Sequence, residues 1–201
     1  MATDIAAVIR NLVAFHDFTQ ATVIHVGAGG GQFVGYAAAA RRVLAVDPDA
    51  DALDRLMRSL EEKGLTDRFQ VVRSDLMAIT AHADVVFFEF CLHEIPDPTA
   101  ALRHALTLAP QVLVVDPAPG SPWAWTCGEE DKVVASWAAV TRLAVVREAL
   151  FEGVQRFHDF AELHAKLATA GELALQRIEA YRDRMDFTIP MPYRMAVVAR
   201  G

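Results

Sequence analysis

The chain has 201 residues, a formal charge of −7, 53% apolar residues and 22% charged residues. That composition suits one domain with a sizeable core and excludes intrinsic disorder, while the acidic balance argues against non-specific binding to nucleic acid or anionic membranes. Two cysteines are too few for a disulfide framework, no stretch of about 18 uncharged apolar residues occurs, and Asp4 and Arg10 interrupt the region that a signal peptide would need unbroken. A cytoplasmic protein is expected.

The elements alternate. Residues 4–18 read as an amphipathic helix, with Ile5, Val8, Ile9, Leu12 and Val13 on one face. Ala21–Val26 reads as a buried strand that ends in Gly27-Ala28-Gly29-Gly30-Gly31, followed by a small-residue helix from Phe33 to Ala40. Val43–Val46 is a second strand, stopped by Asp47-Pro48. Asp49 caps a helix whose Leu53, Leu56, Met57 and Leu60 face the core, and Gly64 stops it. Strands follow at Phe69–Val72, Asp84–Phe88 and Val112–Val115, with a helix opened by Asp97-Pro98 before the last of them. Five short apolar strands joined by helices predict a parallel sheet covered on both faces. Beyond it the pattern predicts a loop over Ala118–Gly128, a helical stretch over residues 129–150, a capped helix from Asp159 to Ala170, and closing strands at Leu173–Ile178 and Met195–Ala199.

In such a sheet ligands bind beyond the carboxyl ends of the strands. The loop after strand one fits Gly-x-Gly-x-Gly through Gly27, Gly29 and Gly31, whereas the dinucleotide fingerprint would place a small residue where Gln32 stands. Asp47, after strand two, can accept two ribose hydroxyls or simply precede a turn. Asp75, with the Leu76 amide beside it, can read an adenine edge or cap a turn. Strand four runs into Glu89-Phe90-Cys91-Leu92-His93-Glu94-Ile95-Pro96-Asp97.

Taken together, Val23–Gly31, Ala45-Val46-Asp47, Ser74-Asp75 and Leu92–Asp97 resemble the class I S-adenosylmethionine-dependent methyltransferases, over about residues 20–117. The resemblance implies a Rossmann-like α/β sheet, mostly parallel with an antiparallel last strand and helices on both faces. It implies one domain over 1–201: an N-terminal helix (4–18), a cofactor-binding core (about 20–117) and acceptor-side helices and final strands (118–201). S-adenosylmethionine is the implied cofactor, held by His25, Gly27, Gly29, Gly31, Asp47, Asp75, Leu76 and Glu89. The Leu92–Asp97 segment resembles branches that methylate small molecules by in-line transfer, with His93 as the candidate base. One departure stands at His25, where the family usually carries an acid. A neutral His25 is expected there, with Glu89 taking the cofactor's ammonium.

The acceptor site is expected among the N-terminal helix, the Trp123/Trp125 loop and the helices of residues 129–170, with Arg182, Arg184 and Arg194 as anion-binding or solvated residues. Cys91 and Cys127 read as small fillers or, with His93, as soft ligands, and no metal is expected. The expected partner is a small-molecule methyl acceptor, with no nucleic acid and no membrane span; a homodimer is allowed. The competing readings are a non-catalytic cofactor-binding or scaffold protein and an NAD(P)-dependent reductase.

Overall fold

The computed structural model describes residues 4–200. Helix α1 (Ile5–Phe15) is capped by Asp4, whose carboxylate accepts the Ala7 N–H. Strands β1 (Thr22–Val26), β2 (Arg42–Asp47), β3 (Phe69–Arg73), β4 (Val85–Glu89) and β5 (Gln111–Pro117) are mutually parallel. Helix α2 (Ala50–Glu62) joins β2 to β3, and α3 (Pro98–Leu108) joins β4 to β5. The segment expected to be a helix after the glycine loop forms only a 3-10 turn, Val34–Ala38.

Helices α4 (Pro122–Cys127) and α5 (Glu130–Val140) then lead to β6 (Ala144–Phe151), and β9 (Tyr193–Ala199) inserts antiparallel between β5 and β6. The seven-stranded order is β3-β2-β1-β4-β5-β9-β6. Between β6 and β9 lie β7 (Val154–Phe157), α6 (Phe160–Leu167), α7 (Glu172–Ile178) and β8 (Phe187–Pro190), with β7 and β8 paired as a separate antiparallel ribbon.

Alternation of side chains along each strand builds two apolar layers. Val23, Val85, Phe87, Leu113 and Val115 face α1 and the 3-10 turn after the glycine loop. Ile24, Val86, Phe88, Val112 and Val114 face α3 and α5. Both faces are therefore covered, which is why the strands read as unbroken apolar runs. A smaller core of Trp123, Cys127, Phe157, Leu163, Ile178 and Ile189 lies beneath the ribbon.

Three further sequence expectations need correction. The Ala118–Gly128 loop contains α4, begun by the Ser121 cap and by Pro122 in the first turn. The second half of the 129–150 helical stretch is β6, because pairing with β9 outweighs the helix-forming Ala, Arg, Glu and Leu it contains. Leu173–Ile178 is helical rather than a strand: Ala174 and Ile178, four apart, are its buried pair.

Candidate functional site

The carboxyl ends of β1, β2 and β4 converge on one cavity. Gly27 and Gly31 adopt φ of +69° and +72°, conformations that glycine tolerates and other residues rarely do. A Cβ on Gly27 would meet the Cys91 side chain at 2.5 Å, and one on Gly31 would meet Ser59 Cβ at 2.9 Å. The loop is thus folded tightly against its neighbours; Gly27 lines the cavity, whereas Gly29 and Gly31 are not among its lining residues. Asp47 holds it there: Oδ2 accepts the Gly29 N–H at 3.2 Å and Oδ1 the Asp49 N–H at 2.9 Å. A carboxylate has about four acceptor sites, so Asp47 retains capacity for a ligand's hydroxyls.

Gly27, Asp47, Asp75, Leu76, Cys91 and Glu94 line this cavity of about 450 Å³. Asp75 caps the turn Leu76–Ala78 by accepting the Met77 N–H at 2.7 Å, and it lines the cavity as well. The turn-cap reading of Asp75 is thus met, and its place on the cavity wall leaves it open to a ligand.

His25 lies outside the cavity wall. It is fully buried, its ring stacks on Phe87 at 4.8 Å, and its Nδ1 is 3.1 Å from the Tyr36 hydroxyl. Its Nε2 lies 2.6 Å from Glu89 Oε2. That approach lacks the alignment of a directed hydrogen bond, so both atoms remain without a hydrogen-bond partner. Glu89 is the side chain at the end of β4, only 8% exposed. Burial raises its pKa, and contact with His25 opposes the rise. His25 therefore packs behind Glu89 and does not line the cavity.

A second cavity, of about 210 Å³, opens beside the first, and Glu94 lines both. Its walls are Phe33, Phe90, Trp123 and Met191, with His93, Glu129, Gln155 and Lys166 as polar residues. Phe90 turns the chain at φ +47°, a left-handed conformation that is strained for a bulky residue. His93 Nδ1 is 2.7 Å from Asp116 Oδ1, and its backbone N–H donates to Asp116 Oδ2 at 3.0 Å. Ser136 Oγ donates to Oδ2 of the same carboxylate at 3.2 Å. Burial pulls the His93 pKa down, but the carboxylates of Asp116 and Glu129 outweigh it and raise the pKa to about 10. At neutral pH His93 is thus held protonated, a poor general base in this state and a good donor.

The remaining expected residues divide. Trp123 stacks on Phe157 and also lines the second cavity, whereas Trp125 is 49% exposed under the Arg177 guanidinium. Arg182 pairs with Glu179, Arg184 stands over Tyr181, and Arg194 pairs with Glu148, so these arginines have partners outside the cavities. Cys91 Sγ donates to the Val26 carbonyl at 3.3 Å, while Cys127 packs in the small core with its thiol pushed up to about 12, chiefly by burial. Asp116, Glu129, Gln155 and Lys166 are residues that reading the sequence passed over. Asp116 had a signal, since it is an acid at the end of a parallel strand, like Asp47. Gln155 and Lys166 had none, because the ribbon and α6 bring them in from far along the chain.

Residues 23–111 match the family model described as a methyltransferase domain. No curated protein sequence matches the chain. Among solved structures, a Bacillus halodurans protein assigned to the methyltransferases is similar with a TM-score of 0.70 and 15% identity, covering 98% of each chain. Magnesium protoporphyrin IX methyltransferase from Synechocystis, with bound S-adenosylhomocysteine, is similar with a TM-score of 0.59 and 13% identity over 98% of this chain and 81% of that one. The (4+2) cyclase SpnF reaches a TM-score of 0.64 at 15% identity, over 96% of this chain and 80% of that one. The fold is that of the class I S-adenosylmethionine-dependent methyltransferases.

Proposed function

We propose that this protein transfers the methyl group of S-adenosylmethionine to a small-molecule acceptor bound in the second cavity. The fold by itself does not decide the reaction, since a cyclase shares it. The observation that carries the reading is the pair of cavities meeting at Glu94, one lined by Asp47 and Asp75 and the other by aromatic side chains. An open second cavity also speaks against a purely scaffolding role.

The residues present fit the cofactor. Asp47 suits its ribose, and Asp75 with the Leu76 amide suits its adenine. Glu89 is not among the residues that line the cavity, but its buried carboxylate at the end of β4, 2.6 Å from His25 Nε2, is the acid that would take the cofactor's ammonium in place of the acid the family carries at His25. The cofactor supplies an activated methyl on a sulfonium. The chain supplies alignment and exclusion of water. Phe33, Phe90, Trp123 and Met191 provide apolar walls for the acceptor, and Gln155 and Lys166 provide polar contacts at its edge. With its imidazole held protonated by Asp116, His93 donates a hydrogen bond toward the acceptor and does not remove a proton.

The test is the fate of the label. Incubating the protein and labelled S-adenosylmethionine with a fractionated cell extract should place label in the small-molecule fraction. Label confined to the nucleic-acid or protein fraction would overturn the small-molecule reading.

A further inference from the structure

We infer that His93, Glu94 and Glu129 form a binding site for one divalent metal ion that takes mixed nitrogen and oxygen ligands, such as zinc or manganese(II), at the meeting point of the two cavities. One ligand atom from each lies within 4.8 Å of the others. His93 Nε2 is 3.6 Å from Glu129 Oε2 and 3.9 Å from Glu94 Oε1. An ion bound at about 2.0–2.2 Å from each atom spans gaps of this size. Glu94 is 64% exposed and can turn toward the ion, while Glu129 is fixed at the start of α5.

Three further features favour an ion over a chance cluster. The first is the setting of His93. Metal-ligating histidines usually hand their other ring nitrogen to a carboxylate, which fixes the ring. Asp116, fully buried, does this at 2.7 Å and leaves Nε2 facing the two glutamates. The second is charge. Three carboxylates, Asp116, Glu94 and Glu129, surround one imidazole, and neither glutamate has a Lys or Arg partner among the described residues. Lys166, on the wall of the same cavity, stands over the Trp123 ring and pairs with neither.

The third feature is independent of the ligand set. Gln155 lines the same cavity, is only 4% exposed, and its Oε1 has no hydrogen-bond partner. Its amide nitrogen reaches only the Met191 thioether, a weak acceptor. A buried acceptor left in this state on a cavity wall is costly, and a polar occupant of the cavity would relieve it. One nitrogen and two carboxylates suit divalent ions that take mixed nitrogen and oxygen ligands better than thiophilic ones, and they leave coordination positions open on the cavity side. The inference goes beyond the proposed reaction: an ion on Nε2 takes the place of the proton there, so His93 is a neutral ligand in the metal-loaded protein and a donor in the metal-free one.

The experiment uses the full chain, stripped with a chelator and titrated with cobalt(II) without S-adenosylmethionine, following the visible absorption of the bound ion. One saturable equivalent is expected, displaced by zinc. Glu94→Gln and Glu129→Gln should each weaken cobalt binding by roughly tenfold or more, while Glu152→Gln, at an exposed position away from the site, should leave it unchanged. Manganese(II) should also broaden the His93 ring-proton resonances of the folded wild type first, which locates the ion without relying on any substitution. No saturable binding below about 1 mM, or full affinity retained in either glutamate variant, would overturn the site. Because the readout is metal binding, its failure would leave the methyltransferase reading untouched.

Discussion

Glu89 concentrates the conflict between stability and binding. It is buried at the end of β4, with Oε2 close to His25 and aligned with no donor. A carboxyl whose pKa is raised by folding stabilises the protein below its unfolded value, and that contribution is lost as pH rises through the folded value. Glu89→Gln cannot ionise. It should therefore melt higher than the wild type at pH 7, with the gap closing below about pH 4, where the wild-type carboxyl is also neutral. The same substitution should weaken S-adenosylhomocysteine, because the ligand's ammonium loses its charged partner. Melting curves at both pH values, beside a binding isotherm, check the two halves; a lower melting point at pH 7 with unchanged affinity would contradict both. Asp75 gives a second residue-scale test. Asp75→Asn keeps an oxygen for the Met77 N–H and should fold normally with partly reduced affinity, whereas Asp75→Ala should lose both cap and ligand contact. Equal affinity in all three proteins, measured by calorimetry, would remove Asp75 from the site. Glycines and strand-end acids were legible at this scale because each is forced by local geometry. The role of His25 was not, since Tyr36, Phe87 and Glu89 surround it only once three elements have packed.

At the scale of elements, the parallel strands and their capped helices could be read because local signals and tertiary demands agree. Asp97 shows the agreement: it accepts the Ala100 N–H at 2.9 Å, and Pro98 occupies the first turn of α3. Asp97→Ala should cost about 1 kcal/mol, read as a shift in denaturant midpoint without a change in slope. An unchanged midpoint would mean that α3 needs no cap. Where agreement fails, the reading failed too. Strand β6 contains Arg147, Glu148, Ala149 and Leu150, all good helix formers, yet seven registered pairs with β9 hold it extended. In α7, Leu173 and Leu175 alternate as a strand would, but the neighbouring small core takes Ala174 and Ile178. The ribbon of β7 and β8 was invisible because its strands are four residues each and about 30 residues apart.

At the scale of the whole molecule, the sheet order puts β1, β2 and β4 side by side, so that Gly27, Asp47 and the loop after Glu89 border one space although they lie far apart in sequence. The ribbon, α4 and α6 close a second space over Glu94 and His93. The lining of the first space was legible, because Gly27, Asp47 and Asp75 each follow the end of a parallel strand. That of the second was not, because its walls come from the least regular part of the chain. The central claim is that the first cavity holds S-adenosylmethionine through Asp47. The most direct test is a calorimetric titration of S-adenosylhomocysteine into the wild type and into Asp47→Ala, with NADH as the competing ligand. The account predicts one saturable site in the wild type, no displacement by NADH, and an affinity reduced by about 10- to 150-fold in Asp47→Ala, as expected for a lost charged hydrogen-bond acceptor. NADH binding in place of S-adenosylhomocysteine, or equal affinity in the two proteins, would contradict it.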